Sequence, residues 1–198
     1  MKKISIFFIL VILAISVANG QFTKFGGGLT YGTGFHFNNV TTPQYEADLH
    51  RGPFAGIFLT GIYELNLPFH IAPSFTYFIP RTNKAVIGTF PQSSRVSSIM
   101  FDINGHYVFN SLDRFEFYGL AGLNITFAKI KWLGTNPASG SDNAIGLNIG
   151  AGTYIKMIEQ LDLYAEVKYI VSKYDQLMLN VGVLINLDWL KKNENPGL

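Results

Sequence analysis

The sequence predicts an all-β fold, an eight-stranded antiparallel up-and-down transmembrane β-barrel, and three observations carry that expectation. Apolar residues recur at every second position through one segment after another, the spacing of a strand with two unlike faces. The spacers between segments alternate long and short. Only 14% of the 198 residues are charged, against 48% hydrophobic and 15% aromatic, whereas ordinary globular chains carry roughly 25% charged residues. With a positive mean hydropathy, so few charges leave much of the surface facing a solvent other than water.

The first element is an address. Lys2 and Lys3 precede an apolar run from Ile4 to Val17, and the small residues Ala18 and Gly20 stand three and one positions before Gln21. That layout predicts a secretory signal peptide over residues 1–20, cleaved after Gly20. The run is too short for a membrane-crossing helix, which needs roughly 20 residues. Without Lys2 and Lys3 the 15 basic residues fall to 13, against 13 acidic, so no basic footprint for nucleic acid remains. The chain has no Cys, which excludes a disulfide framework, thiolate zinc and a cysteine nucleophile.

Residues 21–190 form the expected barrel domain and 191–198 a polar tail. The first segment places Phe25, Leu29, Tyr31, Phe35 and Phe37 on the apolar side. The second, Phe54 to Leu65, is ambiguous; Ala55, Ile57, Leu59, Gly61 and Tyr63 are assigned outward, with Phe54, Phe58 and Ile62 on the opposite, inward side. The third follows Phe69, Ile71, Phe75, Tyr77 and Ile79, and Pro73 within it predicts a bulge or a missing ladder bond. The fourth follows Ile99, Phe101, Ile103 and Tyr107; the fifth runs from Phe115 to Phe127; the sixth follows Ile145, Leu147, Ile149 and Ile155. The last two follow Leu161, Leu163, Val167, Tyr169 and Val171, then Leu177, Leu179, Val181, Val183, Ile185 and Leu187.

Long connections at Asn38–Arg51, Pro80–Ser94 and Ile130–Ser141 are expected at the outer end. Short ones are expected at Asn66–Leu67, Asn110–Asp113 and Ile158–Gln160 at the inner end, and the last outer turn, Ser172–Gln176, is short too. Inside hydrocarbon every backbone polar group needs an internal partner, so strands must close into a barrel. An eight-stranded barrel is nearly filled by its own side chains. Glycines on the inward side, such as Gly26, Gly28, Gly34, Gly150 and Gly182, are expected to make room for larger neighbours.

The polar sides hold Lys24, Glu64, Asp102, Arg114, Glu116, Lys156, Asp162, Glu166 and Lys168, and one register clears every charge from the opposite side of each strand. A cation on the lipid face costs about 2–4 kcal/mol near mid-bilayer, while a lumen charge can find partners. The expected structural network is Asp102, Arg114, Glu116, Lys156, Asp162, Glu166 and Lys168. Turn pairing puts Glu116 beside His106 and Lys156 beside Asp162, with Arg114 close by. His70, Asn104, Asn124, Asn148 and Asn180 are candidate hydrogen-bond partners farther along. The same charges also suit a gate whose ion pairs exchange.

A catalytic reading needs a nucleophile or base where acyl chains reach. His36, His50, Asp48, Ser93, Ser94 and Ser97 lie near the outer rim, and solvated loop residues are the plainer interpretation. No metal-ligand spacing stands out, and neither metal nor cofactor is expected. Tyr31, Phe37, Tyr63, Phe69, Tyr77, Tyr107, Phe109, Phe115, Trp132, Tyr169 and Trp189 suit interface girdles. A soluble lipocalin-like carrier would invert the faces, with the apolar side inward, and would need an exterior much richer in Lys and Glu.

The leader, the eight alternating segments, the unequal loops and the lack of Cys resemble the bacterial outer-membrane β-barrel superfamily, specifically the small OmpA- and OmpX-like barrels. That resemblance implies residence in the outer membrane, insertion by its assembly machinery, and outer loops that contact an extracellular partner. Two departures are expected to matter. The chain continues past the last strand through Asp188, Trp189 and Leu190 instead of stopping at an aromatic, and no peptidoglycan-gripping domain follows. The expected function is structural or adhesive, without enzymatic activity; a narrow passage for small or hydrophobic solutes is the alternative.

Overall fold

The computed structural model describes residues 21–36, 49–65, 68–87, 89–133, 138–187 and 189; the leader, the tail, Phe37 and Asp48 lie outside them. The described residues form β1 (Gln21–Gly32), β2 (Ala55–Glu64), β3 (Phe69–Phe78), β4 (Arg81–Ile87), β5 (Phe90–Ser111), β6 (Phe115–Trp132), β7 (Ser139–Ile158), β8 (Leu161–Val171) and β9 (Gln176–Asn186). They join in one antiparallel sheet that closes on itself. β1 pairs with both β2 and β9, and β3 pairs with β2 and with the inner half of β5. β4 takes up the outer half of β5, so β3 and β4 make one stave interrupted at Ile79 and Pro80, and the barrel has eight staves. Hydrocarbon imposes this closure, because an open edge would leave unpaired backbone groups in lipid.

Alternation sorts the side chains. Leu147, Ile149, Val181 and Val183 are 60%, 62%, 51% and 41% exposed on the outer wall, whereas Glu166 and Lys168 are 2% and 1% exposed inside. A water-soluble vessel requires the opposite arrangement, so the lipocalin-like reading is overturned. In the ambiguous second segment Ile57 and Leu59 face out and Phe58 and Ile62 are buried inside, but Phe54, expected with them, precedes the strand and is exposed against Tyr31. Along β6 the apolar outward face runs from Phe115 to Phe127, about 29 Å of height at 3.4 Å per residue and a 45° tilt, enough to cover the hydrocarbon core. Aromatic pairs mark its margins: Tyr31 meets Phe54 at 5.6 Å near the outer end and Phe69 meets Tyr107 at 5.2 Å near the inner end.

Several placements differ from the sequence expectation. Phe35 lies beyond the end of β1 and folds into the mouth of the lumen, 4% exposed. Gly34 just before it takes φ +76°, which redirects the chain where an inward strand position was expected. Trp132 has the inward parity of β6 and packs into the same mouth instead of a girdle. Tyr63 is buried, with the Phe22 ring edge-on at 5.5 Å. The connections expected at Pro80–Ser94 and Ile130–Ser141 are largely strand: β4 and β5 form a hairpin, and β6 and β7 pair up to Lys131 and Ser139. Pro73 interrupts the β2–β3 ladder, which skips from Thr60–Ser74 to Tyr63–Ile71; the Thr60 hydroxyl donates to the Pro73 carbonyl at 3.1 Å.

The seam between β1 and β9 requires glycine. Gly28 pairs with Gly182, and a β-carbon on Gly28 would stand 2.1 Å from the Val181 carbonyl oxygen. The two backbones approach too closely there for any side chain. Strand lengths are also uneven: β5, β6 and β7 have 22, 18 and 20 residues against 11 in β8 and in β9. β7 pairs with β8 only from Leu147 inward, so β5 to β7 continue beyond the shorter staves as a one-sided wall at the outer end.

Candidate functional site

The lumen is a stack of side-chain layers. At the inner end Lys24 Nζ lies 2.9 Å from Asp162 Oδ2 and 4.0 Å from Glu116 Oε2, and Lys156 Nζ lies 2.9 Å from Glu116 Oε1. Lys156 does stand opposite Asp162 in register, but their ion pairs go elsewhere. Glu116 is not beside His106. The β5–β6 hairpin turns at Asp113 and Arg114, with Leu112 and Phe115 hydrogen-bonded across it, and a bulge at Phe109 shifts the register further, so His106 pairs with Leu120. Arg114 sits exposed in that turn, apart from the ion pairs.

An aromatic layer follows. Tyr118, Tyr154 and Tyr164 are all buried. The His106 ring stacks on Tyr118 at 4.2 Å and 9°, and its Nδ1 is 2.6 Å from the Tyr154 hydroxyl. The Tyr118 hydroxyl donates to Glu166 Oε2 at 3.2 Å, and Tyr164 donates to the same oxygen. These tyrosines had a sequence signal that went unused: each falls on the charge-bearing parity of its strand. A ring with a polar tip suits a position that fills space on one side and serves a carboxylate on the other.

Glu166 links this layer to the barrel's central network. Asn180 Nδ2 donates to Glu166 Oε1 at 3.1 Å, and Lys168 Nζ stands 3.8 Å from that oxygen and 2.9 Å from Asp102 Oδ2. Asp102 also accepts from Asn124 at 2.7 Å, Asn148 at 2.8 Å and Ser74 at 3.2 Å. The carboxylate therefore has four donors around it. Buried charges persist only when paired and hydrogen-bonded in this way. β5, β6, β7 and β8 each present one of these residues inward by simple alternation, so the ladder register alone brings Asp102, Asn124, Asn148 and Lys168 together.

Above the network the lumen turns apolar, with Phe78, Met100, Ile170 and Met178 in one cluster. Phe35, Val96, Ile130 and Tyr174 form another at the mouth. The chain entering β2 closes over it. Leu49 is fully buried, Asn83 Nδ2 donates to the Leu49 and Arg51 carbonyls at 3.2 and 2.8 Å, and the Ser94 hydroxyl also donates to Leu49. His50 meets Trp132 edge-on at 5.4 Å. At the rim Asp142 accepts from the Tyr174 hydroxyl at 2.6 Å and from Lys173. Those two donors, Lys173 first, hold its carboxyl below the usual range, while burial and the same hydrogen bond raise the Tyr174 phenol.

Among the described residues, the rim side chains considered for catalysis do not converge. His36 is exposed and bridges to Arg51, while His50 is buried against Trp132. Ser93, Ser94 and Ser97 donate to the carbonyls of Leu133, Leu49 and Lys129. Their hydroxyls complete backbone hydrogen bonding.

Solved structures share this architecture. A major outer membrane protein from Thermus thermophilus aligns with TM-score 0.59 at 12% identity, covering 83% of this chain and 99% of the other. Neisserial surface protein A aligns with TM-score 0.55 at 17% identity, covering 85% and 99%. Ail, the attachment invasion locus protein of Yersinia pestis, in complex with the heparin analogue sucrose octasulfate, aligns with TM-score 0.52 at 15% identity, covering 83% and 99%. At these identities the likeness is one of fold. No curated protein matches the sequence. The outer membrane protein beta-barrel domain model matches residues 5–187, so the chain belongs to that family and resides in the bacterial outer membrane.

Proposed function

We propose that the protein is a non-enzymatic barrel whose lumen is a structural plug and whose work is done at its outer surface, through contact with an extracellular partner. The observation that carries this is the closure of the lumen. The Asp102–Lys168–Glu166 network fills its middle, two apolar clusters lie above, and the residues from Leu49 to Arg51 are tied across the mouth. Ions crossing it would have to part buried ion pairs and strip their own hydration in apolar layers, each costly. Serine hydroxyls committed to backbone carbonyls support the non-enzymatic side. The likeness to Ail, an attachment invasion locus protein, supports the surface-contact side at the level of fold. Its immediate partners on this reading are outer-membrane lipid and the outer-membrane assembly machinery.

Reconstitution in planar bilayers and solute-loaded vesicles tests it. The intact barrel passes neither current nor small solutes, and shortening Asn38–Arg51 removes adhesion of cells displaying it. Solute flux that survives the same shortening overturns the proposal.

One observation favours a narrow passage as the second reading. Both ring nitrogens of His70, Thr30 Oγ1, Ser98 Oγ and Asn180 Oδ1 are buried in the lumen without a protein hydrogen-bond partner. Buried polar atoms of this kind call for water. A hydrated file along them passes water or protons before it passes solutes, and a proton-flux assay in vesicles distinguishes this from the plug.

A further inference from the structure

The geometry points to a binding site for a phosphate-bearing lipid headgroup on the outward face of the projecting wall, formed by Arg95, Lys129 and Lys131 with Lys84 beside them. All four are exposed, and the register puts them on one surface. Arg95 stands directly across from Lys131, Ser97 from Lys129, Thr82 from Arg95, and Lys84 from Ser93. Directly opposed like charges destabilise a sheet, so the Arg95–Lys131 pair by itself opposes folding. An anion between them turns the repulsion into attraction. Among the described residues no carboxylate is paired with any of the four; Asp142 of β7 also lines the groove beside them, but its carboxylate is engaged by Lys173 and Tyr174.

Position selects a lipid over a solute. The last apolar row of this face is Tyr77, Ile99 and Phe127, joined across the strands. Lys129 is one outward row beyond Phe127, and Arg95 and Lys131 are two rows beyond. At 3.4 Å per residue and a 45° tilt these rows lie about 5 and 10 Å past the apolar band. Headgroups occupy that depth. A groove of about 890 Å³ runs down the same face, with Arg95, Lys129 and Lys131 on its upper part and Ile99, Phe127 and Tyr77 on its lower part. It offers cations to a phosphate and apolar walls to the chains beneath. The cations point sideways from the wall, into the plane of the headgroups. The site depends on the outer-membrane placement, with the short-turn end facing the cell, and is independent of whether the lumen conducts.

The test titrates the full-length barrel in maltoside micelles, whose headgroup carries no phosphate, with phosphatidic acid and counts bound lipid by native mass spectrometry. Each cation near a charged headgroup contributes roughly fivefold in affinity. The triple variant Arg95→Gln/Lys129→Gln/Lys131→Gln is therefore expected to bind about 100-fold more weakly at low salt, with the difference shrinking as salt rises. Arg114→Gln, at the opposite end, is expected to bind like the unaltered chain. Gel mobility of unheated against boiled samples checks that each variant is a closed barrel. Equal binding by the triple variant, or equal binding of diacylglycerol, overturns the site. Competition by inorganic phosphate at equal concentration, or tighter binding of a soluble sulfated oligosaccharide to the same cations, overturns the assignment to lipid.

Discussion

Replacing Asp102 by Asn and Lys168 by Met, singly and together, distinguishes a sealed lumen from a wet one. The Lys168 ammonium lies 2.9 Å from the Asp102 carboxylate, and both residues are almost completely buried. At that distance the pair attracts by about 6 kcal/mol at an effective dielectric of 20 but only about 1.4 kcal/mol in bulk water. Breaking a buried pair from one side costs about 3–5 kcal/mol. The two single variants are expected to differ. In Asp102→Asn the lysine keeps Glu166 at 3.8 Å, and the amide oxygen still accepts from Asn124 and Asn148, so the loss falls at the low end. In Lys168→Met two buried carboxylates lose their shared cation, so the loss falls at the high end. The double variant leaves Asn beside Met, with only Glu166 deprived of its cation, and costs less than the sum. A coupling of about 3 kcal/mol or more is expected. Urea unfolding in lipid vesicles, followed by tryptophan fluorescence, measures it; at about 2 kcal/mol per molar urea, Lys168→Met lowers the midpoint by about 2.5 M. A coupling under about 1.5 kcal/mol, the value bulk water would give, refutes the sealed lumen and with it the structural plug.

Three further outcomes follow from the same geometry. Gly28→Val is expected to prevent closure at the β1–β9 seam, seen as loss of the fast-migrating unheated gel band, whereas Gly119→Ala, whose β-carbon meets nothing within 4 Å, leaves that band intact. Ile149→Arg puts a cation on the lipid face and is expected to cost about 2–4 kcal/mol if the residue lies near mid-bilayer depth; a loss below about 0.5 kcal/mol in vesicle unfolding contradicts the assigned lipid face. Asp142 lies outside the apolar band, and its folded carboxyl is held below the usual value by Lys173 and Tyr174. Its contribution is therefore complete above the unfolded value of about 3.9 and is lost as pH falls through the lower folded value. Protection of the 172–175 turn, measured as amide exchange relative to the intrinsic rate at each pH, is expected to fall below about pH 4 in the unaltered chain, and Asp142→Asn should remove that dependence.

Legibility followed the solvent. Where one face of a strand meets lipid and the other the lumen, period two is strong, and Phe101, Ile103, Leu147 and Val181 reveal strand and face together. β4 and the outer ends of β5 and β6 project beyond the bilayer, where the outward face meets headgroups or water. Apolar alternation fades there, so Thr82–Lys84 and Ser93–Arg95 resemble loop. The lumen residues were legible as a set because parity groups Asp102, Glu166 and Lys168 on the charge-bearing side. Their individual partners were not, since each pairing depends on register. Placing the β5–β6 turn at Asn110–Asp113 instead of at Asp113–Arg114, with the bulge at Phe109 unseen, was enough to set Glu116 beside His106. Phe35 and Trp132 were misplaced for a related reason. Aromatics near strand ends suit a girdle and a mouth equally well, and the choice depends on a chain reversal such as the one at Gly34.

The uneven staves tie these observations to function. A barrel that needed only to span the bilayer would be complete at the length of β8 and β9, so the further extension of β5, β6 and β7 requires its own justification in backbone entropy, about 1–2 kcal/mol per ordered residue. Part of that cost is offset on the inner side of the wall, where Val96, Ile130, Ala144 and Tyr174 bury one another and seal the mouth. The outward side buries little and opposes Arg95 to Lys131. One face of the extension thus stabilises the free barrel, while the other is unfavourable until an anion arrives. Deleting the outward cations should therefore stabilise the barrel in neutral detergent and weaken it in anionic lipid. Unfolding midpoints of the triple glutamine variant in the two environments check this, and a change of the same sign in both would show that the outward face has no preference for anions.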